Sequence, residues 1–351
     1  MKTEILRCSS PERDWAAIAR AAQVIRAGGL VAFPTETVYG LGANALDAEA
    51  VARIYRAKRR PPEDPCIVHI AAVADLPRVA AAIPPAVERL ARFWPGPLSV
   101  ILPRAEAIPP IVTAGRPTVA VRIPAHPVAL ALIRAAGVPI AAPSANRFMH
   151  TSPTTAQHVW DDLAGEIDLI LDGGPTPVGV ESTVLDLTGD VPTVLRPGAV
   201  TVEQLRAVLG EVRVQEHVPT AAALPSPGLF ERHYAPEAEV LLFEGPRPAT
   251  LAAMRAKAEE LARSGVPTGI LATEEDLREG ELDLAGVEVA VIGRATDPES
   301  VARGLYAGLR ALERAGVRVI IARTTPETGI GRAVRDRLLK AAGGRVVHLA
   351  P

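Results

Sequence analysis

Apolar and polar positions along the first thirty residues predict a helix followed by a buried strand. Ser10 would cap the helix and Pro11 would open it. Trp15, Ile18, Ala22 and Ile25 would share one face, and Gly28-Gly29 would stop it. Short apolar runs at 30–33, 67–71, 98–102, 119–123, 138–142, 169–171, 183–187 and 193–195 predict strands. Helical periodicity between them falls at 48–56, 85–93, 127–136 and 155–163, and a capped helix at 201–209 carries Gln204 three residues after Thr201. Strands outnumber helices, which predicts a twisted mixed α/β sheet rather than a regular doubly wound one.

The pattern fades over 211–236, where Pro219, Pro225, Pro227 and Pro236 fall in a stretch without periodicity. We read it as a linker, and its length favours a working role, that of a lid. Beyond it strands at 240–243, 268–272, 287–292, 319–322 and 346–349 alternate with helices at 251–263, 298–315 and 332–342. That alternation predicts a smaller, mainly parallel, Rossmann-like domain. The expected organisation is therefore a catalytic domain over 1–210, a linker or lid over 211–236, and a C-terminal domain over 237–351.

Charge narrows the function. The 351 residues carry 38 basic and 40 acidic side chains, with neither half in excess, so bulk positive charge does not hold this chain to nucleic acid. No targeting segment or long apolar stretch is visible, and a cytoplasmic protein without a membrane partner is expected. Two cysteines, Cys8 and Cys66, suit reduced structural thiols. Lysine occurs four times, at Lys2, Lys58, Lys257 and Lys340, against 34 arginines. A lysine inside a motif is then informative, because a mobile ammonium differs from a guanidinium fork.

Familiar catalytic motifs are absent: there is no phosphate-binding G-K-[ST] loop, no H-E-x-x-H, no C-x-x-C and no G-x-S-x-G. The string Gly40-Leu-Gly42-Ala-Asn-Ala45 reads as a glycine-rich turn before a helix, since Pro34 to Tyr39 separate it from its strand. What remains is a series of polar loops at strand ends, holding Thr35, Glu36 and Thr37; Lys58, Arg60 and Asp64; Thr118 and Arg122; Ser144 and Asn146; Glu181 and Ser182; and Arg196. Hydroxyls, amides and cations of this kind bind phosphates and carboxylates. Each also has a plainer use. Lys58 and Arg60 could offset a helix dipole, Arg122 could sit in a structural ion pair, and His69 could be a satisfied core residue. Glu36 and Glu181 are more often loop organisers than metal ligands, and Ser144 and Asn146 could only form a turn. We read Lys58 and Arg60 as rim cations that add little to folding.

Taken together, Pro34-Thr-Glu-Thr-Val-Tyr-Gly40, Lys58-x-Arg60-Pro61, Phe93-Trp-Pro-Gly-Pro97, Arg122-Ile-Pro-Ala-His126-Pro127, Pro143-Ser-Ala-Asn146, Asp172-Gly-Gly-Pro175, Val178-Gly-Val-Glu-Ser-Thr183 and Leu195-Arg-Pro-Gly198 resemble the threonylcarbamoyl-adenylate synthases, the YrdC-type enzymes of tRNA modification. Ser226-Pro-Gly228 and Arg232-His-Tyr-Ala-Pro236, with the helices at 306–315 and 331–342, resemble the linker and closing helices of the long, two-domain form. The resemblance spans nearly the whole chain in order.

It implies a YrdC-like catalytic domain and a nucleotidyltransferase that joins L-threonine, bicarbonate and ATP into threonylcarbamoyl-AMP and pyrophosphate, with Mg²⁺ accompanying ATP. A downstream tRNA threonylcarbamoyl transferase would take the product, and contact of tRNA with this chain is not required. By the same resemblance Thr37, His69, Arg122, Ser182 and the backbone at Ala142 would hold threonine. Arg60, Asp64, Thr118, Ser144, Asn146, Ser152, Arg196 and Tyr234 would hold ATP, with Lys58 and Arg60 acting at its phosphates and no metal ligand set of the protein's own. The chain departs from the family with Asp64 in place of the usual Asn, Cys66 in place of Leu, and Phe148-Met149-His150 where Ser-Gly is common. A pure RNA-binding module, or a nucleotide-binding regulator without turnover, is the alternative; low aromatic content and balanced charge count against the first.

Overall fold

The computed structural model describes residues 2–215, 227–228, 230 and 233–350. The chain divides into two compact units, one formed by 1–148, 152–177 and 181–229 and the other by 149–151, 178–180 and 230–351.

In the first unit the elements run β1 (Glu4–Arg7), α1 (Trp15–Arg26), β2 (Val31–Phe33), β3 (Gly40–Asn44), α2 (Ala48–Lys58), β4 (Ile67–His69), α3 (Ala86–Leu90), β5 (Leu98–Pro103), β6 (Thr118–Arg122), α4 (Pro127–Ala136), β7 (Ile140–Ala141), α5 (Ala156–Leu163), β8 (Leu169–Asp172), β9 (Thr183–Asp186), β10 (Thr193–Arg196), α6 (Val202–Leu209) and β11 (Arg213–Val214). The strands join in one mixed sheet in the order β1-β8-β2-β3-β7-β4-β6-β5-β9-β10-β11. The expected twisted mixed α/β architecture is thus borne out.

Three local readings need correction. Helix α1 starts at Trp15 rather than Pro11, because the Asp14 carboxylate gathers the Ser9 and Ser10 N–H groups at 2.8 and 3.0 Å into a preceding turn. Trp15 is 54% exposed, and Ala21 and Val24 join Ile18, Ala22 and Ile25 on the buried face instead. The string at Gly40 is not a turn but strand β3, antiparallel to β2 through Val31 opposite Gly42. Glycine is required there because a Cβ on Gly42 would lie 2.8 Å from both Ile140 Cγ2 and Phe33 Cε1.

Two faces of this sheet are filled by apolar clusters, one around Val68, Val100, Val121 and Leu185 and one around Ile18, Phe33, Leu132 and Leu171. Side chains alternate across a strand, so Ile67, Ala120, Ile101 and Val184 point away from the first cluster. With Leu195 they form a separate small patch. That patch is the apolar floor of the polar site.

The second unit contains β12 (Glu239–Glu244), α7 (Arg247–Arg263), β13 (Thr268–Ala272), α8 (Glu274–Glu279), β14 (Val287–Val291), α9 (Pro298–Arg314), β15 (Val319–Arg323), α10 (Gly331–Ala342) and β16 (Val346–His348). All pairings of its sheet, ordered β14-β13-β15-β12-β16, are parallel. Helix α8 carries no apolar stripe to announce it; its existence rests on Thr273, whose hydroxyl accepts the Asp276 N–H at 3.2 Å. Helices α9 and α10 pack on each other, and α7 lies against β12, β13 and β15. This is the Rossmann-like domain that the strand and helix alternation predicts.

Candidate active site

Sheet register assembles the first half of the site. His69 pairs with Arg122 across β4 and β6, and Arg122 pairs with Ser99 across β6 and β5. Ser99 in turn pairs with Val184 on β9. All four side chains therefore share one face with the apolar floor. On β10 regular pairing would bring Leu195 opposite Val184, but the register shifts between Val194 and Arg196, and Arg196 takes that position. This bulge turns the guanidinium of Arg196 onto the site face.

Arg122 is the organiser. It is 4% exposed and donates from Nη2 to Thr37 Oγ1 at 3.0 Å and from Nε to the Gly96 carbonyl at 3.3 Å. Glu36 Oε1 lies 2.8 Å from the same Nη2, and among the described residues no hydrogen bond engages the other terminal nitrogen. Thr37 is aimed by Thr35, whose hydroxyl is 2.8 Å from Thr37 Oγ1. His69 Nδ1 lies 3.2 Å from the Ile67 carbonyl; burial, reinforced by Arg122, pulls its pKa down to about 3, so the imidazole is neutral. Ser182 is fully buried, 2.8 Å from Ser99 Oγ, and Arg196 donates to its carbonyl at 3.0 Å and its hydroxyl at 3.3 Å. The Ala142 N–H is committed to the Ile67 carbonyl at 2.9 Å.

The second half hangs from the end of α2. Asp47 caps that helix, accepting from Glu49 and Ala50 N–H at 3.0 and 3.2 Å. Arg59 closes it in the left-handed region at φ 53°, and Pro61-Pro62 prevent its continuation. Lys58 Nζ donates to the carbonyls of Ser144 and Asn146, and Phe148 N–H returns to the Lys58 carbonyl at 2.9 Å. Arg60 donates to the carbonyls of Asp64 and Pro65 at 3.0 and 2.7 Å and pairs with the Asp64 carboxylate at 2.9 Å.

The reading of Lys58 and Arg60 as rim cations is therefore wrong. They are 1% and 7% exposed, because the 144–148 loop folds back over the end of α2. Burial brings the Lys58 pKa down to about 7, with Arg60 adding to the effect. Burial pushes the Asp64 carboxyl up, while Arg60, Lys58 and Arg196 oppose that rise.

The remaining expected residues are more scattered. Ser152 is fully buried and donates to Glu181. Thr118 opens β6, four residues from Arg122 on the same face and about 13 Å away along an extended strand. Tyr234 belongs to the second unit, 1% exposed at φ 57°, with Tyr306 6.0 Å away and the Arg337 guanidinium 4.9 Å from its ring centre. Within the expected lid segment, residues 224–226, 229 and 231–232, Arg232 among them, lie outside the described residues.

Sequence reasoning missed Ser99, which hides in an apolar strand; its place two residues before Ile101, on the same strand face, was the available signal. It also undervalued Glu36, which sits on the key guanidinium. No group of three or more His, Cys, Asp or Glu side chains able to hold a metal occurs among the described residues. Asp64 nonetheless fits a Mg²⁺ carried in on phosphates: it is fully buried beside the cations, and among the described residues neither carboxylate oxygen receives a hydrogen bond. No helix among the described residues is long and apolar enough to cross a membrane.

A mixed-sheet domain with buried arginines and hydroxyls on one face, joined to a parallel α/β domain, defines a two-domain α/β protein. Comparison with known proteins makes this specific. The Sua5/YciO/YrdC family model, described as telomere recombination, matches residues 23–198, and the threonylcarbamoyl-AMP synthase C-terminal domain matches 200–343. Threonylcarbamoyl-AMP synthases of Pyrococcus abyssi and Bacillus subtilis are each 48% identical, over 94% of this chain and 95% and 94% of their own. The crystal structure of P. abyssi Sua5 complexed with L-threonine superposes with a TM-score of 0.91 at 44% identity, covering 100% of both chains. The chain belongs to the threonylcarbamoyl-AMP synthase family, in its long two-domain form.

Proposed function

We propose that this chain is a nucleotidyltransferase that makes threonylcarbamoyl-AMP and pyrophosphate from L-threonine, bicarbonate and ATP, for the threonylcarbamoyl-adenosine modification of tRNA. The observation that carries this reading is the pairing of two buried polar clusters on one sheet domain. One is Arg122 with Thr37 and Ser182, the other Lys58, Arg60 and Asp64 at the end of α2. The family membership and the L-threonine held by the P. abyssi relative support it.

In this reading Arg122 takes the threonine carboxylate. Thr37, Ser182, neutral His69 and the Ala142 backbone surround the rest of the amino acid. Arg60, Asp64, Thr118, Ser144, Asn146, Ser152, Arg196 and Tyr234 hold ATP. Threonine's amine forms a carbamate with bicarbonate, and a carbamate oxygen attacks the α-phosphorus as pyrophosphate leaves. No side chain becomes covalently bound, so catalysis rests on positioning and on cations that meet developing negative charge. Lys58 suits this task because its ammonium can leave the Ser144 and Asn146 carbonyls and follow the departing phosphates. Mg²⁺, when bound with ATP, would neutralise phosphate oxygens, and Asp64 is the residue that would hold it. A tRNA threonylcarbamoyl transferase in the cytoplasm would consume the product. The deciding assay is pyrophosphate release from ATP, which should require both threonine and bicarbonate. Release with either omitted at the full rate would refute the reading.

A further inference from the structure

The reaction just proposed needs a step that none of the assigned residues performs. An amino acid enters as a zwitterion, and its ammonium has no lone pair with which to attack bicarbonate. A base must take one proton after binding.

Glu36 is the side chain placed to do so. It lies between Thr35 and Thr37, 7% exposed, with Oε1 2.8 Å from Nη2 of Arg122. Among the described residues nothing donates a hydrogen bond to either of its oxygens. A buried carboxylate in that condition retains strong unused acceptor capacity. Among the described residues nothing hydrogen-bonds Nη1 of the same guanidinium, which leaves that edge of Arg122 for the substrate carboxylate. The two terminal nitrogens of one guanidinium are about 2.3 Å apart, and the carboxylate and ammonium of an α-amino acid are separated by about one further hydrogen-bond length. An amino acid clamped on Nη1 therefore presents its ammonium beside Glu36 on Nη2.

We propose that Glu36 is a catalytic residue of this enzyme, receiving the α-ammonium of the amino-acid substrate and accepting its proton. The inference rests on the threonine-binding role of Arg122 in the function proposed above. Glu36 carboxylate takes one proton from the ammonium, giving a neutral amine and a carboxylic acid. The freed nitrogen lone pair forms the C–N bond with bicarbonate. The hydroxyl of bicarbonate leaves with a second amine proton as water, so the products are the carbamate and H₂O. Glu36 returns its proton to solvent when the product leaves. The charged and titratable groups around it are Arg122 on β6, His69 beside Arg122 on β4, and His126 at the start of α4, whose imidazole feels the Glu36 charge. His69 is neutral, and burial holds the His126 pKa below its ordinary value despite Glu36.

The test compares Glu36→Gln and Glu36→Asp with the wild type by kcat/KM for threonine between about pH 7 and about pH 9, at saturating ATP and bicarbonate. Glutamine keeps the shape but cannot take the proton, so this variant can use only threonine that arrives already as free amine. Its kcat/KM should fall by about 100-fold or more at pH 7 and then rise about tenfold per pH unit, while the wild-type profile stays nearly flat. Aspartate, shorter by one methylene, should restore part of the activity together with the flat profile. A Glu36→Gln variant within twofold of wild type at pH 7 overturns the proposal. So does a constant deficit at every pH, which marks a purely electrostatic or structural role. A variant with wild-type circular dichroism and no threonine-dependent activity at any pH overturns it too. If Glu36→Gln fails to fold, the Glu36→Asp profile decides alone, since a base role requires it to be flat and active. Failure of the underlying reading is distinguishable, because wild-type pyrophosphate release would then not depend on threonine at all.

Discussion

Replacing Lys58 by methionine separates the cost of burying an ammonium from its use. The stem stays and the charge goes. A cation whose folded pKa lies below its unfolded value costs folding free energy. That cost is complete below about pH 7 and is relieved as the pH rises towards the ordinary lysine value of 10.5. At about 1.4 kcal/mol per pH unit, this one group should raise wild-type stability by about 2 kcal/mol between about pH 7 and about pH 9. Methionine does not titrate, so the variant lacks that rise. At neutral pH it loses the bonds to the Ser144 and Asn146 carbonyls, worth about 1.5–3 kcal/mol each when charge-assisted, but it also sheds the burial cost. The two nearly cancel, and the variant should lie within about 2 kcal/mol of wild type at pH 7. Urea unfolding of both proteins at the two pH values gives the difference of differences. An equal gap at both would show that no charged ammonium is buried there. Turnover should fall by orders of magnitude at both values, and wild-type turnover would remove Lys58 from the mechanism.

Serine should replace threonine with a loss of about 1–3 kcal/mol in competition assays, for one methyl group, and valine should be rejected; equal use of valine would show that the hydroxyl is not read. Tyr234→Ala should weaken ATP binding about tenfold in calorimetry, and protease should nick the 224–236 segment more slowly with ATP and threonine present; unchanged affinity together with unchanged nicking refutes the lid. In the second unit His150 Nε2 lies 2.9 Å from the Glu313 carboxylate, which also accepts the Glu237 N–H. Burial pushes the Glu313 carboxyl up, but these hydrogen bonds prevail and hold it below its ordinary value. The contribution is therefore present above that value and lost as pH falls through the folded one, and His150→Ala should cost about 1 kcal/mol in urea at neutral pH; a cost that does not shrink in acid argues against the pair. Burial, with Asp14 adding, raises the Cys8 pKa to about 11, and burial raises that of Cys66 as well. Neither thiol should react with iodoacetamide at neutral pH until the chain unfolds, as mass spectrometry would show.

Much of this protein was legible in one dimension. Period-two runs and helical stripes announced most strands and helices, because burial of one face imposes those periods. The capping box of Thr201 and Gln204 formed as its spacing required, with Gln204 N–H donating to Thr201 Oγ1 at 3.2 Å. The family resemblance was legible too, since its motifs are contiguous stretches, and so was the list of polar loop residues.

What the chain alone did not determine is how those loops meet. That Gly40 to Asn44 is a strand depends on Phe33 and Ile140, which leave no room for a Cβ at Gly42, and both lie outside its local sequence. Lys58 looks like any cation at a helix end until the loop around Ser144 folds over it and removes its water. That Arg196 comes opposite Val184 beside Leu195 was set by a one-residue bulge against β9, and the pairing of Glu36 with Arg122 spans 86 positions of chain. Local propensity and periodicity are short-range quantities and fix the elements. Burial, register and the company a charge keeps are properties of distant residues brought together, and only the tertiary structure decides them.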